Sequence, residues 1–158
     1  MFWTEGSVRG SISRAWMDGS NPVRLATGLH EPRGITIDFQ SSRLYWTCVG
    51  DDKVQSSNMH GTNIQTVIQR PQRPTSSRPY GIALLGGRIY WTNNITKKLE
   101  SQTVSGRDPR LLHTGVNPLW HLTIVPRLGL PTNRTNHCEN QSCPNVCVLT
   151  PTSFKCVS

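Results

Sequence analysis

Hydrophobic and polar residues alternate along this chain in short runs bounded by turn residues, and helical spacing is hardly visible. The tripeptide Gln40-Ser41-Ser42 joins two apolar-rich runs and predicts a hairpin, while Gly61 can supply the positive φ of a later turn. Four consecutive strands are therefore predicted, at 34–39, 43–48, 53–59 and 64–69. Four short antiparallel strands form one compact sheet.

The same order of strands recurs on both sides of this segment. Downstream runs lie at 81–85, 88–93, 99–104 and 110–113, and upstream runs lie at 1–4, 11–17 and 23–26. A last run, 120–125, predicts only the first strand of a further sheet. The chain therefore predicts about three repeated four-stranded units.

A short motif marks the second strand of each unit. Its copies are Phe2-Trp3-Thr4, Tyr45-Trp46-Thr47 and Tyr90-Trp91-Thr92, and the tryptophans lie 43 and 45 residues apart. That period is the one expected of a propeller blade. The fold class predicted is all-β, a partial propeller of about three blades. Known propellers have about four to eight blades, so we expect the chain to be a fragment of a larger ring.

A second motif marks the first strand of each unit. It is Pro32-Arg33-Gly34-Ile35 in one copy and Pro79-Tyr80-Gly81-Ile82 in the next, with a looser copy at Pro118-Leu119-Trp120-His121. Propeller ligands usually sit where equivalent loops converge on the central opening, and Arg and aromatic residues are frequent interface anchors. The candidate ligand-binding residues are therefore Arg33, Tyr80, Leu119 and Trp120. The alternative is that Tyr80 and Trp120 only fill the core between blades.

The C-terminal part carries four cysteines in the spacing C-x4-C-x3-C-x8-C, at Cys138, Cys143, Cys147 and Cys156. A segment with so few apolar residues needs crosslinks to fold, which favours disulfides and an oxidising compartment. Zinc is disfavoured because no close C-x2-C pair and no suitably spaced His is present. The predicted domains are repeats at 1–126, a linker at 127–137 and a small disulfide-rich module at 138–158.

The net charge and the absence of several well-known motifs make some classes of function unexpected. The net charge is +8, but the basic residues are scattered and no nucleic-acid-binding motif accompanies them, so nucleic acid is not expected as a partner and weak heparan-sulfate contact is more plausible. No catalytic, metal-ligand or phosphate-binding motif occurs, so we expect neither an enzyme nor a cofactor. No run approaches the roughly 18 apolar residues of a membrane-spanning helix, so any membrane attachment is expected through parts absent from this sequence.

Two further features bear on an extracellular location. The Asn-x-Ser/Thr sites at Asn94, Asn133 and Asn140 are candidate glycosylation sites if the chain is secreted. Cys48 is the fifth cysteine and stands apart from the others. It is either a buried hydrophobic residue or a site for linking to another chain, and we favour the first.

On the aromatic-Trp-Thr and Pro-x-Gly-Ile motifs and the cysteine run, the chain resembles the propeller of low-density lipoprotein receptor class B (YWTD) repeats with its following EGF-like module. In that family six repeats form one propeller, so the chain looks like the C-terminal half of such a unit in an LDL-receptor-related protein. The resemblance implies disulfides Cys138–Cys147 and Cys143–Cys156. The chain departs from the family because its module lacks a third disulfide. Ser158 stands where a fifth cysteine of the module is expected.

The resemblance also implies a function. It indicates an extracellular protein-binding segment of an endocytic receptor or Wnt co-receptor, located at the outer face of the plasma membrane or in the endosomal lumen. The alternative is a matrix adhesion propeller of the nidogen type. Acid-triggered ligand release in the family makes the histidines candidate switches, namely His30, His60, His113, His121 and His137.

The chain departs from the family at the fourth position of the YWTD motif. This position is usually Asp, and it is Glu5, Cys48 and Asn93 here. An Asp can accept charge-assisted hydrogen bonds from backbone N–H groups, Asn or Glu can do so in part, and Cys is a poor substitute. We therefore expect weaker closure between the blades.

Overall fold

A computed structural model describes residues 1–69, 78–115 and 120–124, together with the backbone of 146–149 and 154–157. Within these residues all regular structure is β-strand, and none of them forms a helix that could cross a membrane. The strands are β1 (Phe2–Glu5), β2 (Gly10–Arg14), β3 (Val23–Leu29), β4 (Pro32–Asp38), β5 (Arg43–Cys48), β6 (Lys53–Asn58), β7 (Gln65–Gln69), β8 (Pro79–Leu85), β9 (Arg88–Asn93), β10 (Lys98–Thr103), β11 (Arg110–Thr114), β12 (Val146–Leu149) and β13 (Phe154–Val157).

Consecutive strands pair antiparallel into successive sheets. Blade 1 is β1-β2-β3, blade 2 is β4-β5-β6-β7, and blade 3 is β8-β9-β10-β11. Blade 1 therefore contains the second to fourth strands of the repeat, as the sequence predicts. The all-β fold and the four-stranded antiparallel blades are confirmed.

The blades stack because each strand sends alternate side chains to opposite faces. In β5, Leu44 and Trp46 enter the core between blades 1 and 2, whereas Tyr45 enters the core between blades 2 and 3. Trp46 and its equivalent Trp91 are 0% and 1% exposed. Burial on both faces explains why the motif strand is rich in large apolar residues, since neither side meets water.

Glycine in the Pro-x-Gly motif allows the innermost segments to approach closely. A Cβ atom on Gly34 would lie 2.5 Å from the carbonyl oxygen of Tyr80, and one on Gly81 would lie 2.8 Å from the backbone nitrogen of Leu122. Both distances are shorter than any tolerable contact. The motif therefore brings β4 against β8, and β8 against residues 120–124.

The predicted strand at 120–125 is not observed over its described part. Residues 120–124 take no regular structure, although they occupy the place beside β8 where the first strand of a further blade is expected. A β-strand forms when its backbone hydrogen-bonds to a neighbouring strand of the same sheet. Residues 120–124 pack against the face of β8 and do not pair with its edge, so this contact does not make them a strand. A smaller correction concerns β2, which ends at Arg14 and not at Met17, because Trp16 enters a turn closed by its N–H bond to the Ser20 carbonyl at 3.0 Å.

The hairpin β12–β13 is described by its backbone alone. Its register places Cys147 opposite Cys156. The remaining cysteines of the predicted module, Cys138 and Cys143, lie outside the described residues. The disulfide pairing and the growth-factor-like module therefore stay predictions.

Candidate functional site

The threonines of the first two Trp-Thr motifs fix the backbone of the candidate binding residue in the next blade. The Thr4 hydroxyl donates to the carbonyl oxygen of Arg33 at 2.7 Å, and the Thr47 hydroxyl donates to that of Tyr80 at 2.8 Å. Thr47 also accepts from the N–H of Gly34 in its own blade at 2.9 Å. Arg33 and Tyr80 are thus held at equivalent positions by equivalent hydrogen bonds.

A cavity of about 320 Å³ opens where these inner segments meet. Arg33 of β4, Tyr80 of β8 and Trp120 all line it. These are three of the four residues that the sequence predicts as ligand-binding, and the fourth, Leu119, lies outside the described residues. Successive blades therefore bring the three side chains together.

The three side chains form a continuous row. The rings of Tyr80 and Trp120 meet edge to face, with centroids 5.2 Å apart and an interplanar angle of 77°. The guanidinium carbon of Arg33 lies 5.7 Å from the centroid of the Tyr80 ring, within cation–π range. Trp120 is 58% exposed, so it does more than fill the core, whereas Tyr80 is half-buried.

The charge of Arg33 is not neutralised within the described part of the chain. Its side chain is exposed and has no carboxylate within ion-pair distance there. Glu5, one residue from the cavity-lining Gly6, instead accepts a hydrogen bond from the Ser11 hydroxyl at 2.8 Å and pairs with Arg24 at 3.3 Å. The Ser11 hydrogen bond is the main reason why the pKa of Glu5 is lowered.

A second polar cluster joins blades 1 and 2. The Asp51 carboxylate lies 2.7 Å from Nζ of Lys53 and 3.0 Å from Nδ1 of His30, which belongs to the connection between β3 and β4. The hydrogen bond from Lys53 is the largest cause of the lowered pKa of Asp51, and His30 adds to it against the effect of burial. Sequence reasoning flags His30 among five histidines but gives no reason to pair it with Asp51, because His30 lies in the connection between blades 1 and 2 and Asp51 lies in a turn of blade 2.

The fourth motif position behaves differently in each blade. Asn93 accepts hydrogen bonds from the backbone N–H groups of Ile95 at 3.1 Å and Thr96 at 3.0 Å, so it does cap a turn as expected of an Asp substitute. Glu5 bonds to side chains instead. Cys48 is fully buried with Sγ 3.3 Å from Oε1 of Gln55, and burial raises its pKa to about 11. Cys48 is thus a buried hydrophobic residue, as favoured from the sequence.

Of the candidate glycosylation sites, Asn94 lies in the described turn between β9 and β10. Its N–H donates to the Arg78 carbonyl at 3.1 Å, and Nζ of Lys97 donates to its side-chain oxygen at 3.3 Å. Asn94 therefore stands close to the start of β8. Asn133 and Asn140 lie outside the described residues.

Similarity searches connect the chain with receptors. It is 31% identical over 152 residues to the vitellogenin receptor Yl of Drosophila melanogaster, covering 94% of the chain and 7% of that protein. It is 28% identical over 148 residues to low-density lipoprotein receptor-related protein 5 of Homo sapiens, covering 92% of the chain and 9% of that protein. The chain thus spans less than a tenth of the length of these relatives. No model of a protein family matches it.

Solved structures share the fold. A chain from the crystal structure of a nidogen/laminin complex aligns with a TM-score of 0.60 at 26% identity, covering 70% of this chain and 42% of that one. A gluconolactonase of Xanthomonas campestris aligns with a TM-score of 0.58 over 77% of this chain and 46% of that one. At 16% identity the gluconolactonase shows the fold alone.

The relatives that match over nine-tenths of the chain are receptors, so the chain resembles a segment of a receptor and not an enzyme. Its three stacked antiparallel sheets and its recurring aromatic-Trp-Thr strands agree with that assignment. In sequence and fold, the chain is similar to a partial β-propeller of low-density lipoprotein receptor class B (YWTD) repeats.

Proposed function

We propose that this segment binds extracellular proteins through the cavity lined by Arg33, Tyr80 and Trp120. The observation that carries this proposal is the continuous row of these side chains, which come from three separate segments and meet at one exposed opening. Arginine and large aromatic residues are the types that dominate binding energy at protein interfaces.

The size and composition of the cavity fit a protruding part of a protein. A volume of about 320 Å³ is at the lower end of small-molecule pockets and accommodates one or two side chains of a partner. The row combines a cation with two aromatic faces, so it offers both charge and apolar area. A projecting turn of a partner could use both.

For the whole protein, the proposed setting is a cell-surface receptor of the LDL-receptor-related type. The segment would face the outside of the plasma membrane or the endosomal lumen. The similarity to a vitellogenin receptor supports uptake of a protein ligand, and the similarity to LDL-receptor-related protein 5 supports the alternative of a Wnt co-receptor. The net charge of +8 supports an additional weak contact with heparan sulfate.

A matrix adhesion role is the second candidate. The structural similarity to a chain in a nidogen/laminin complex supports it, at 26% identity over 70% of the chain. Laminin is therefore a defined probe. Attachment to laminin that is equally tight at pH 7 and pH 5 would favour adhesion, whereas loss at pH 5 would favour an endocytic receptor.

The surrounding organisation completes the proposal. Repeats at 1–126 would be followed by a linker at 127–137 and an EGF-like module at 138–158. The module would be closed by Cys138–Cys147 and Cys143–Cys156, and glycans would sit on Asn94, Asn133 and Asn140. A glycan on Asn94 would stand next to the third Trp-Thr motif and limit which partners can approach that loop.

The experiment uses a random peptide library displayed on phage and selected on the immobilised chain. Enriched peptides are then measured against Arg33→Ala/Tyr80→Ala, with Arg107→Ala as the control. Arg107 is also an exposed arginine, but it lies in the β10–β11 turn at the opposite end of the blade. We expect the double variant to weaken binding about tenfold or more and the control to leave it unchanged.

Two outcomes would refute the cavity as the binding site. One is the absence of any enriched peptide, and the other is equal affinity of the enriched peptides for all variants. If the double variant is poorly folded, Trp120→Ala is decisive instead, because a side chain that is 58% exposed can be removed at little cost to the core. Unchanged affinity for a well-folded Trp120→Ala together with Arg33→Ala would overturn the proposal.

A further inference from the structure

We propose that the cavity selects an acidic turn of its partner, with an Asp or Glu carboxylate bound by Arg33 and a neighbouring apolar side chain packed on Tyr80 and Trp120. This inference rests on the proposed function and specifies the chemistry of the ligand. It follows from three independent features of the cavity: an unneutralised guanidinium, an aromatic wall beside it, and a nearby carboxylate that is already occupied.

The guanidinium of Arg33 is held in place, but no carboxylate of the described residues pairs with it. On one side, the guanidinium carbon lies 5.7 Å from the centroid of the Tyr80 ring. On the other side, the backbone of Gly6 is so close that a Cβ atom there would lie 2.8 Å from Nη1 of Arg33. The Arg33 backbone is anchored by Thr4 at 2.7 Å. A planar guanidinium fixed in this way presents paired N–H donors, which match the two oxygens of a carboxylate.

The aromatic wall supplies the second part of the selectivity. Tyr80 and Trp120 stand edge to face, and the exposed area of Trp120 continues the row away from Arg33. An apolar side chain placed next to the bound carboxylate would cover this area and exclude water from the ion pair. Exclusion of water strengthens a charge-assisted hydrogen bond.

No carboxylate among the described residues forms an ion pair with Arg33. Glu5 adjoins Gly6 of the cavity lining in sequence, and its two oxygens are taken by Ser11 at 2.8 Å, Arg24 at 3.3 Å and Ser13 at 3.4 Å. Asp51 is held by Lys53 and His30. Within the described part of the chain, the positive charge at the cavity is therefore left for a partner, and a chain of net charge +8 attracts acidic partners at long range.

The test uses the peptides enriched on the chain, resynthesised with each acidic residue replaced by its amide. We expect one Asp→Asn or Glu→Gln replacement to weaken binding about tenfold, and we expect only the acidic form to weaken further as salt is raised. Arg33→Lys should lose several-fold, since a lysine keeps the charge but not the paired donors. Arg33→Glu should bind a peptide with Lys in place of the acid better than the original peptide.

The outcomes separate this inference from the proposed function. Enriched peptides without any acidic residue would overturn the inference. Equal binding of the acid and amide forms, or no gain of Lys-bearing peptides by Arg33→Glu, would overturn it too. In each case the proposed function stands if Trp120→Ala and Arg33→Ala/Tyr80→Ala still weaken binding, and it fails with the inference if they do not.

Discussion

The hydroxyl of Thr47 donates a hydrogen bond to the backbone carbonyl of Tyr80, 2.8 Å away across the boundary between two blades. Because the same oxygen accepts from the N–H of Gly34 at 2.9 Å, one side chain satisfies a backbone group on each side of that boundary. Blade stacking, and the position of a cavity residue, thus depend on a residue of the repeated motif. This explains what the threonine contributes to a strand that is otherwise apolar.

Thr47→Val should destabilise the fold by about 1–3 kcal/mol. Valine has nearly the same shape, but it leaves the Gly34 N–H and the Tyr80 carbonyl without partners in a buried place. The free energy of unfolding in urea measures the effect. Thr47→Ser should recover most of it, since the hydroxyl is kept.

Thr66→Val is the matched control for that prediction. Thr66 is an exposed residue of β7, so its substitution should change the free energy of unfolding by less than about 0.5 kcal/mol. If Thr47→Val were as mild as Thr66→Val, the hydrogen bond across the blade boundary would not contribute to stability.

Gly34→Ala should be more damaging than a surface change, because its Cβ would meet backbone atoms that cannot move independently. The new atom would lie 2.5 Å from the Tyr80 oxygen and 2.9 Å from the Ile82 nitrogen, which forces blades 2 and 3 apart. We expect a loss of about 1–3 kcal/mol and a weaker affinity of the cavity for its peptides.

Gly81→Ala provides a comparison for Gly34→Ala. Its Cβ would press on His121 and Leu122 and not on a strand of another blade. This variant should displace residues 120–124 and weaken peptide binding while costing less stability. Equal losses of stability in the two variants would contradict the distinction between a blade contact and a contact with that segment.

The blades could be predicted because their strands are buried on both faces. Such strands consist of consecutive large apolar residues, such as Leu44, Tyr45 and Trp46, and this run recurs in each repeat. The sequence also identified Arg33, Tyr80 and Trp120 as candidate ligand-binding residues from the repeated Pro-x-Gly motif, and the structure brings the three together in one cavity. It could not predict the Thr47–Tyr80 hydrogen bond, which joins residues 33 positions apart through the stacking of two sheets. Nor could it show that residues 120–124 would lack strand structure, because pairing depends on a neighbouring edge and not on the motif itself.

Cys48 should be unreactive in the folded chain. Its thiol is fully buried and its pKa is raised to about 11, chiefly by burial, so almost no thiolate exists at neutral pH. Iodoacetamide labelling followed by peptide mapping should find Cys48 unmodified at pH 7 in buffer and modified in denaturant. Rapid modification of Cys48 in buffer would instead support a role in linking to another chain.

Asp51→Asn should lower stability by about 0.5–1 kcal/mol at pH 7, because it removes the ion pair with Lys53 at 2.7 Å and the contact with His30 at 3.0 Å between blades 1 and 2. The folded-state pKa of Asp51 is lowered from its usual value of 3.8, so its contribution is present above that value and is lost as the pH falls through the lower folded pKa. The difference in unfolding free energy between the parent chain and Asp51→Asn should therefore persist at pH 5 and shrink only below about pH 4. Urea unfolding at pH 7, 5 and 3.5 measures it. A difference that vanishes already at pH 5 would mean that this contact between the blades loosens at endosomal acidity, contrary to the carboxylate's lowered pKa.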